Sequence, residues 1–149
     1  MFLHNLRQKC EALTIPLISP ETEKFLHVLV QKHKPQHVLE IGTAVGYSSI
    51  FFAKEMSARD GVVSTFEISY PSYIQGLSHF SQSGHGANIQ SYLLDFSSVS
   101  LSKIITQKVD MIFIDAQKSQ YLNYLMKIRD IIADHGIIIL DDIIKYQNK

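Results

Sequence analysis

The sequence predicts an α/β domain, with a mostly parallel sheet covered by helices on both faces. Three observations carry this. From His37 onward, short β-rich runs alternate with longer stretches of helical periodicity, the pattern of repeated strand–helix units. Two runs, VDMIFID and GIIIL, are apolar without alternation, as central strands buried on both faces are. Each predicted strand ends on a carboxylate: Glu40, Glu67, Asp95, Asp115 and the pair Asp141–Asp142. One such residue is an ordinary turn or cap, but solvation alone does not explain five strand ends in a row.

Taken in order, Phe2, Leu3, Leu6, Cys10 and Leu13 recur at helical spacing, so the chain opens on an amphipathic helix. A loop with two prolines follows. Ser19 before Pro20 starts a second helix, because serine caps and proline fits the first helical position. Glu21 and Glu23 favour the same start through the helix dipole, and Phe25, Leu26, Val28 and Leu29 form its expected buried stripe. Strands are predicted over residues 37–41, 62–66, 88–94, 109–114 and 136–140, with helices over 47–58, 70–82, 98–107 and 118–134. Tyr121, Leu122, Leu125, Ile128 and Ile132 form the expected apolar face of the last helix. The 149 residues read as one domain, with an N-terminal helical segment over 1–34 and an α/β core over 35–149.

Composition narrows the function classes. Fourteen Lys and Arg balance fourteen Asp and Glu, so net charge gives no case for a nucleic-acid or anionic-membrane partner. Cys10 is the one cysteine and reads as a buried small hydrophobe. The first residues lack a signal-peptide pattern, and no apolar run approaches the ~18 residues needed to span a bilayer. The expectation is a soluble, cytoplasmic protein.

The loop after the first strand reads Glu40-Ile41-Gly42-Thr43-Ala44-Val45-Gly46-Tyr47-Ser48. A dinucleotide fold would place glycines where Ala44 and Tyr47 stand, so the approach to a pyrophosphate is compromised. Glu40 adds negative charge near the place phosphates would occupy. These features disfavour an NAD-dependent oxidoreductase and favour a ligand without phosphate and with positive charge. S-adenosylmethionine (SAM), with its ammonium, sulfonium and ribose, fits. Glu67, at the next strand end, is placed to accept ribose hydroxyls. The loop alone reads equally as any strand-to-helix turn.

These residues belong to a wider likeness. ISPETEKFL, VLEIGTAVGYSS, TFEIS, FIDAQKSQYLNYL and GIIILDD, spread from Ile18 to about Ile143, resemble the cation-dependent O-methyltransferases of the catechol and caffeoyl-CoA type, in their bacterial branch. The likeness implies a Rossmann-like SAM-methyltransferase fold. It implies that Glu40, Gly42 and Ser48, with Thr43 beside them, hold the methionine part of SAM. Glu67 would take the ribose, and the Asp95–Phe96 corner the adenine. Asp115, which would also border the cofactor, joins Asp141 and Asp142 as metal ligands, with Asp142 where the family has Asn, and Lys118 matches the catalytic lysine. Tyr121 matches a recurrent position in the same motif.

Three carboxylates in one crevice repel unless a cation or proton compensates, and oxygen ligands suit Mg2+, with Mn2+ or Ca2+ as alternatives. Such an ion lowers the pKa of an acceptor hydroxyl and of a neighbouring lysine, so Lys118 is expected to act as base. The bland readings are a solvated turn at Asp141–Asp142 and a helix-surface charge at Lys118. The expected function is methyl transfer to a hydroxyl of a small, catechol-like acceptor. Some bacterial relatives methylate a hydroxylated tRNA base, which the neutral charge does not support. The family normally continues through another helix and two strands, so the sequence reads as a fold lacking the family's last strands. The fifth strand would then present an open edge, which predicts a dimer or larger homo-oligomer. It also leaves open a non-catalytic SAM-binding or interaction module.

Overall fold

In a computed structural model of the chain, residues 1–142 are described. Two helices, α1 (Phe2–Ala12) and α2 (Pro20–His33), precede the sheet. Ser19 caps α2 as expected, its hydroxyl accepting from the Thr22 amide at 3.0 Å. The alternation follows: β1 (His37–Ile41), α3 (Tyr47–Met56), β2 (Val62–Glu67), α4 (Tyr70–Ser83), β3 (Ile89–Leu93), β4 (Val109–Ile114), α5 (Tyr121–Ile128) and β5 (Ile132–Leu140). The five strands pair in parallel in the order β3–β2–β1–β4–β5. Strand order reverses at β1, between β2 and β4, and in open sheets of this kind the crevice beyond such a switch point receives ligands.

Successive strand residues serve opposite faces. Val38, Met111 and Phe113 pack against Leu6, Leu26 and Phe52 of the first three helices. Leu39, Ile112 and Ile114 pack against Tyr124 and Ile128 of α5 and against Leu101 and Ile105 of the β3–β4 connection. Fully burying side chains of this size contributes about 1.5–3 kcal/mol each. Helices therefore lie on both faces, as expected, and β5 is an edge strand among the described residues. No helix among those residues is long and apolar enough to cross a membrane.

Three local expectations are corrected. In α2 the buried residues are Leu26 and Val30, one turn apart, while Phe25 and Val28 are 56% and 60% exposed. The helix is apolar enough for two stripes, and packing selects one. Over residues 98–107 there is only a short 3-10 turn, Leu101–Lys103. Lys127 reaches across from α5 and donates to the carbonyls of Phe96 and Val99, at 3.1 and 2.7 Å, which holds that connection as an irregular segment. The helix expected over 118–134 begins as a 3-10 turn and ends at Ile128, leaving Leu122 73% exposed. Ile132 already pairs with Val109, and a register irregularity between Val109 and Met111 admits the longer β5.

Candidate functional site

The glycine loop leaves β1 in a conformation only glycine tolerates well. Gly42 has φ +102°, and a Cβ there would collide with the backbone carbonyl of Asp115. The amides of Gly42 and Thr43 both donate to the Phe66 carbonyl, at 3.0 and 3.2 Å, so the loop is tied to the end of β2. Gly46, at φ +82°, opens α3 with the Phe80 ring against its α-carbon. His79 is buried and its Nδ1 lies 2.8 Å from the Val45 carbonyl, so Nδ1 carries the proton and donates.

Glu67 is the hub of this loop. One carboxylate oxygen accepts from the Ala44 amide at 2.7 Å, and the other from the amides of Ile68 and Ser69 at 2.9 and 2.7 Å. Sequence reasoning anticipates its place at the strand end but not this role, because its partners are backbone groups that only the folded loop presents.

Glu40 lies deeper, with no exposed surface, between β1, β2 and α3. Its Oε2 accepts from the Ser49 hydroxyl and from Thr65 at 2.6 Å, and Thr65 in turn accepts from Thr43 at 2.6 Å. Its other oxygen, Oε1, has no hydrogen-bond partner among the described residues. Burial pushes the Glu40 carboxyl up to about 7, against the opposing pull of the Ser48, Ser49 and Thr65 hydroxyls. A buried carboxyl with one unpartnered oxygen is costly to ionise, so it keeps its proton to higher pH than an exposed one.

A cavity of about 300 Å3 opens at the carboxyl ends of β1, β2 and β4. Of the residues predicted for the cofactor, Gly42, Glu67, Asp95, Phe96 and Asp115 line it, whereas Glu40, Thr43 and Ser48 lie behind the loop and off its wall. Phe96 is part of an aromatic wall, its ring centroid 5.1 Å from Phe66 and 5.6 Å from Tyr124. Gln117, Gln120 and Tyr124 also line the cavity and are missed by sequence reasoning. Gln117 and Gln120 bound the 3-10 turn that leads into α5, which no helical spacing in the sequence marks. A larger groove between α1 and α4, about 590 Å3, is lined by none of the predicted residues.

The acidic half lies at the neighbouring strand ends. The Asp115 amide donates to Ile41 and the Asp141 amide to Ile114, both at 3.0 Å, which extends the ladder to these two residues. Lys118 donates to Asp115 Oδ1 at 3.1 Å and to the Tyr121 hydroxyl at 2.8 Å. That hydroxyl is shared between the carbonyls of Ile114 and Asp141, each at 3.2 Å. Asp141 is raised above its ordinary value by burial, then by the charge of Asp115, against a backbone hydrogen bond from Asp142 that lowers it. The donor set fits a hard cation in kind, since it offers carboxylate oxygens. Among the described residues, however, no three acidic, His or Cys side chains are gathered as a metal group. Without a cation beside it, burial lowers the Lys118 pKa, but hydrogen bonds to Tyr121 and Asp115 outweigh burial and hold the ammonium above the usual lysine value.

Comparison with known proteins agrees with this geometry. A family model described as O-methyltransferase matches residues 1–147. Among curated relatives, a caffeoyl-CoA O-methyltransferase of Stellaria longipes is 25% identical over 147 residues, covering 94% of this chain and 60% of the relative. A catechol O-methyltransferase of Niastella koreensis is 26% identical over 132 residues, covering 86% and 58%. The chain thus spans about half to three fifths of the length of the curated relatives it matches. Among solved structures, an O-methyltransferase from Bacillus cereus in complex with SAH superposes with a TM-score of 0.83 at 28% identity, covering 99% of this chain and 72% of that one. The SAM complex of TomG from Streptomyces achromogenes, at 24% identity and a TM-score of 0.78, covers 93% and 64% and shares the fold. The glycine loop, the Glu67 hub and the strand-end cavity thus stand in a chain that belongs to the O-methyltransferase family.

Proposed function

We propose that the chain binds SAM at the carboxyl ends of β1, β2 and β4 and transfers its methyl group to a hydroxyl oxygen of a small, catechol-like acceptor. One observation carries this reading: the cavity at these strand ends is lined by Gly42, Glu67, Asp95, Phe96 and Asp115, the strand-end residues of a chain of the O-methyltransferase family. The SAM- and SAH-bound relatives support the choice of ligand. In the reaction the acceptor oxygen attacks the sulfonium methyl. An O–C bond forms as the C–S bond breaks, and sulfur leaves with the electron pair as a neutral thioether. The chain's contribution is alignment and electrostatics. Gly42 keeps the loop close to the ligand, Glu67 holds the loop's shape, and the Phe96–Tyr124 wall offers an apolar face to a base. Lys118 is the proposed acceptor of the hydroxyl proton. Held as an ammonium by Asp115 and Tyr121, it must enter the reaction as the free amine.

Asp115, Asp141 and Asp142 are the proposed ligands of a divalent cation, Mg2+ in the first place, supported by the burial and the Asp115 charge that raise Asp141. When bound there, such a cation supplies Lewis-acid polarisation of the acceptor hydroxyl. The test is calorimetric titration of SAM with and without Mg2+, followed by methyl transfer to a panel of catechols. Micromolar binding and turnover abolished by Lys118→Ala are the expected results. Binding without turnover would instead identify a SAM-binding module. No binding by a folded chain would end the cofactor reading.

A further inference from the structure

We propose that Arg7 and Glu23 are positioning residues for the cofactor loop and act on it through Tyr47. This rests on the reading that the strand-end crevice holds SAM. Tyr47 is the first residue of α3, directly after Gly46, and its side chain is buried. Its hydroxyl donates to Glu23 Oε2 at 2.7 Å and accepts from Arg7 Nε at 3.2 Å. Arg7 Nη2 donates to the same Glu23 oxygen at 2.6 Å, and Nη1 donates to the Ile18 carbonyl at 3.0 Å. The guanidinium carbon also lies 4.6 Å from the centroid of the Tyr47 ring. The hydroxyl thus joins α1 and α2, and Arg7 extends the joint to the linker between them.

The start of α3 depends on such contacts. It has no side-chain cap and no acidic residue in its first turn. The local devices that normally fix a helix start are missing, so tertiary contacts place it. Phe80 and His79 hold the loop from α4, and Tyr47 holds it from the N-terminal helices. None of residues 1–34 lines the strand-end cavity, so their effect on a ligand there is indirect. The planar arginine fork and the rigid ring suit this role better than a flexible lysine pair.

The test titrates S-adenosylhomocysteine calorimetrically into the full chain and into Arg7→Met, Arg7→Lys, Glu23→Gln and Tyr47→Phe. Each variant is shown folded by circular dichroism and kept well below its melting temperature, and amide exchange is followed over residues 45–48. Arg7→Met and Glu23→Gln are expected to weaken binding about tenfold, as loss of one charged hydrogen bond does. Arg7→Lys keeps the charge without the fork, recovers only part of the affinity, and serves if Arg7→Met fails to fold. The weakened variants also exchange the amides at 45–48 faster. Variants that lose stability yet bind like the parent overturn the proposal, as does weaker binding with unchanged exchange at 45–48. A folded parent that does not bind ends the cofactor reading, and this inference with it.

Discussion

Glu67 and Asp115 close the two strands that flank β1, yet the fold uses them differently. Glu67 is 8% exposed and spends its oxygens on three backbone amides, so it is part of the loop that it shapes. Asp115 keeps 38% of its side chain exposed and meets the partly exposed ammonium of Lys118. The same contrast separates the two halves of the crevice. On the β1–β2 side the polar groups are built into the core. On the β4–β5 side they sit at the edge of it, where the Asp115 charge helps raise the half-buried Asp141. A carboxylate at a strand end is therefore two different things: a fastener for a loop, or one side of a partly exposed ion pair.

The comparison breaks most visibly at Gly42. Gly42→Ala is expected to cost more than about 4 kcal/mol, because a Cβ meets the Asp115 backbone while φ stays at +102°. That backbone is also where β1 meets β4, so the strain reaches both halves. Against a total stability of about 5–15 kcal/mol, the variant is expected to be largely unfolded or unable to hold the loop. Urea denaturation followed by circular dichroism measures this. A variant within about 1 kcal/mol of the parent would show the loop to be pliant and the contrast between the halves mistaken.

How much of this is legible without coordinates differs between the halves in the same way. The bounds of β1 and β4 follow from their apolar runs, and the start of α2 from Ser19–Pro20, because each depends on local chemistry. Gly42 and Glu67 are legible as positions, since they stand at strand ends. What Glu67 does is not, because the Ala44 amide comes to it across 23 residues. The irregular 98–107 segment is hidden for the same reason: Lys127, 28 residues beyond Val99, holds it. In the acidic half the residue types point to a cation, but side-chain convergence is a property of packing, and no spacing in the sequence encodes it.

Glu40 sharpens the comparison through pH. Its folded pKa of about 7 stands above the ordinary value of 4.5, chiefly through burial. The folded chain therefore keeps a proton that the unfolded chain releases. This favours folding at low pH and is lost as pH rises from about 4.5 to about 7, by up to about 3 kcal/mol. Glu40→Gln is expected to abolish that fall, to be more stable than the parent above neutrality, and to bind SAM more weakly. Urea midpoints taken from about pH 5 to pH 8 read the effect. A parent whose stability is flat over this window, or a Gln variant with the parent's slope, would mean that Glu40 is not the buried titrating group described here.

The smallest effect on stability is expected at Lys118, and its smallness is the point. The ion pair with Asp115 is partly exposed on both sides, 27% and 38%, so water screens it and the side chains keep much of their freedom. Pairs of that kind contribute about 0–1 kcal/mol. Lys118→Met should leave the melting temperature within a few degrees of the parent, because the Tyr121 hydroxyl still reaches the carbonyls of Ile114 and Asp141. Differential scanning calorimetry of parent and variant measures it. A drop comparable to that of Gly42→Ala would show that Lys118, Tyr121 and Asp141 form a structural joint between α5 and β5. The β4–β5 half would then be as much part of the core as the glycine loop. A near-silent substitution keeps the halves distinct, with the polar groups of the glycine loop built into the fold and the Lys118–Asp115 pair resting on its surface.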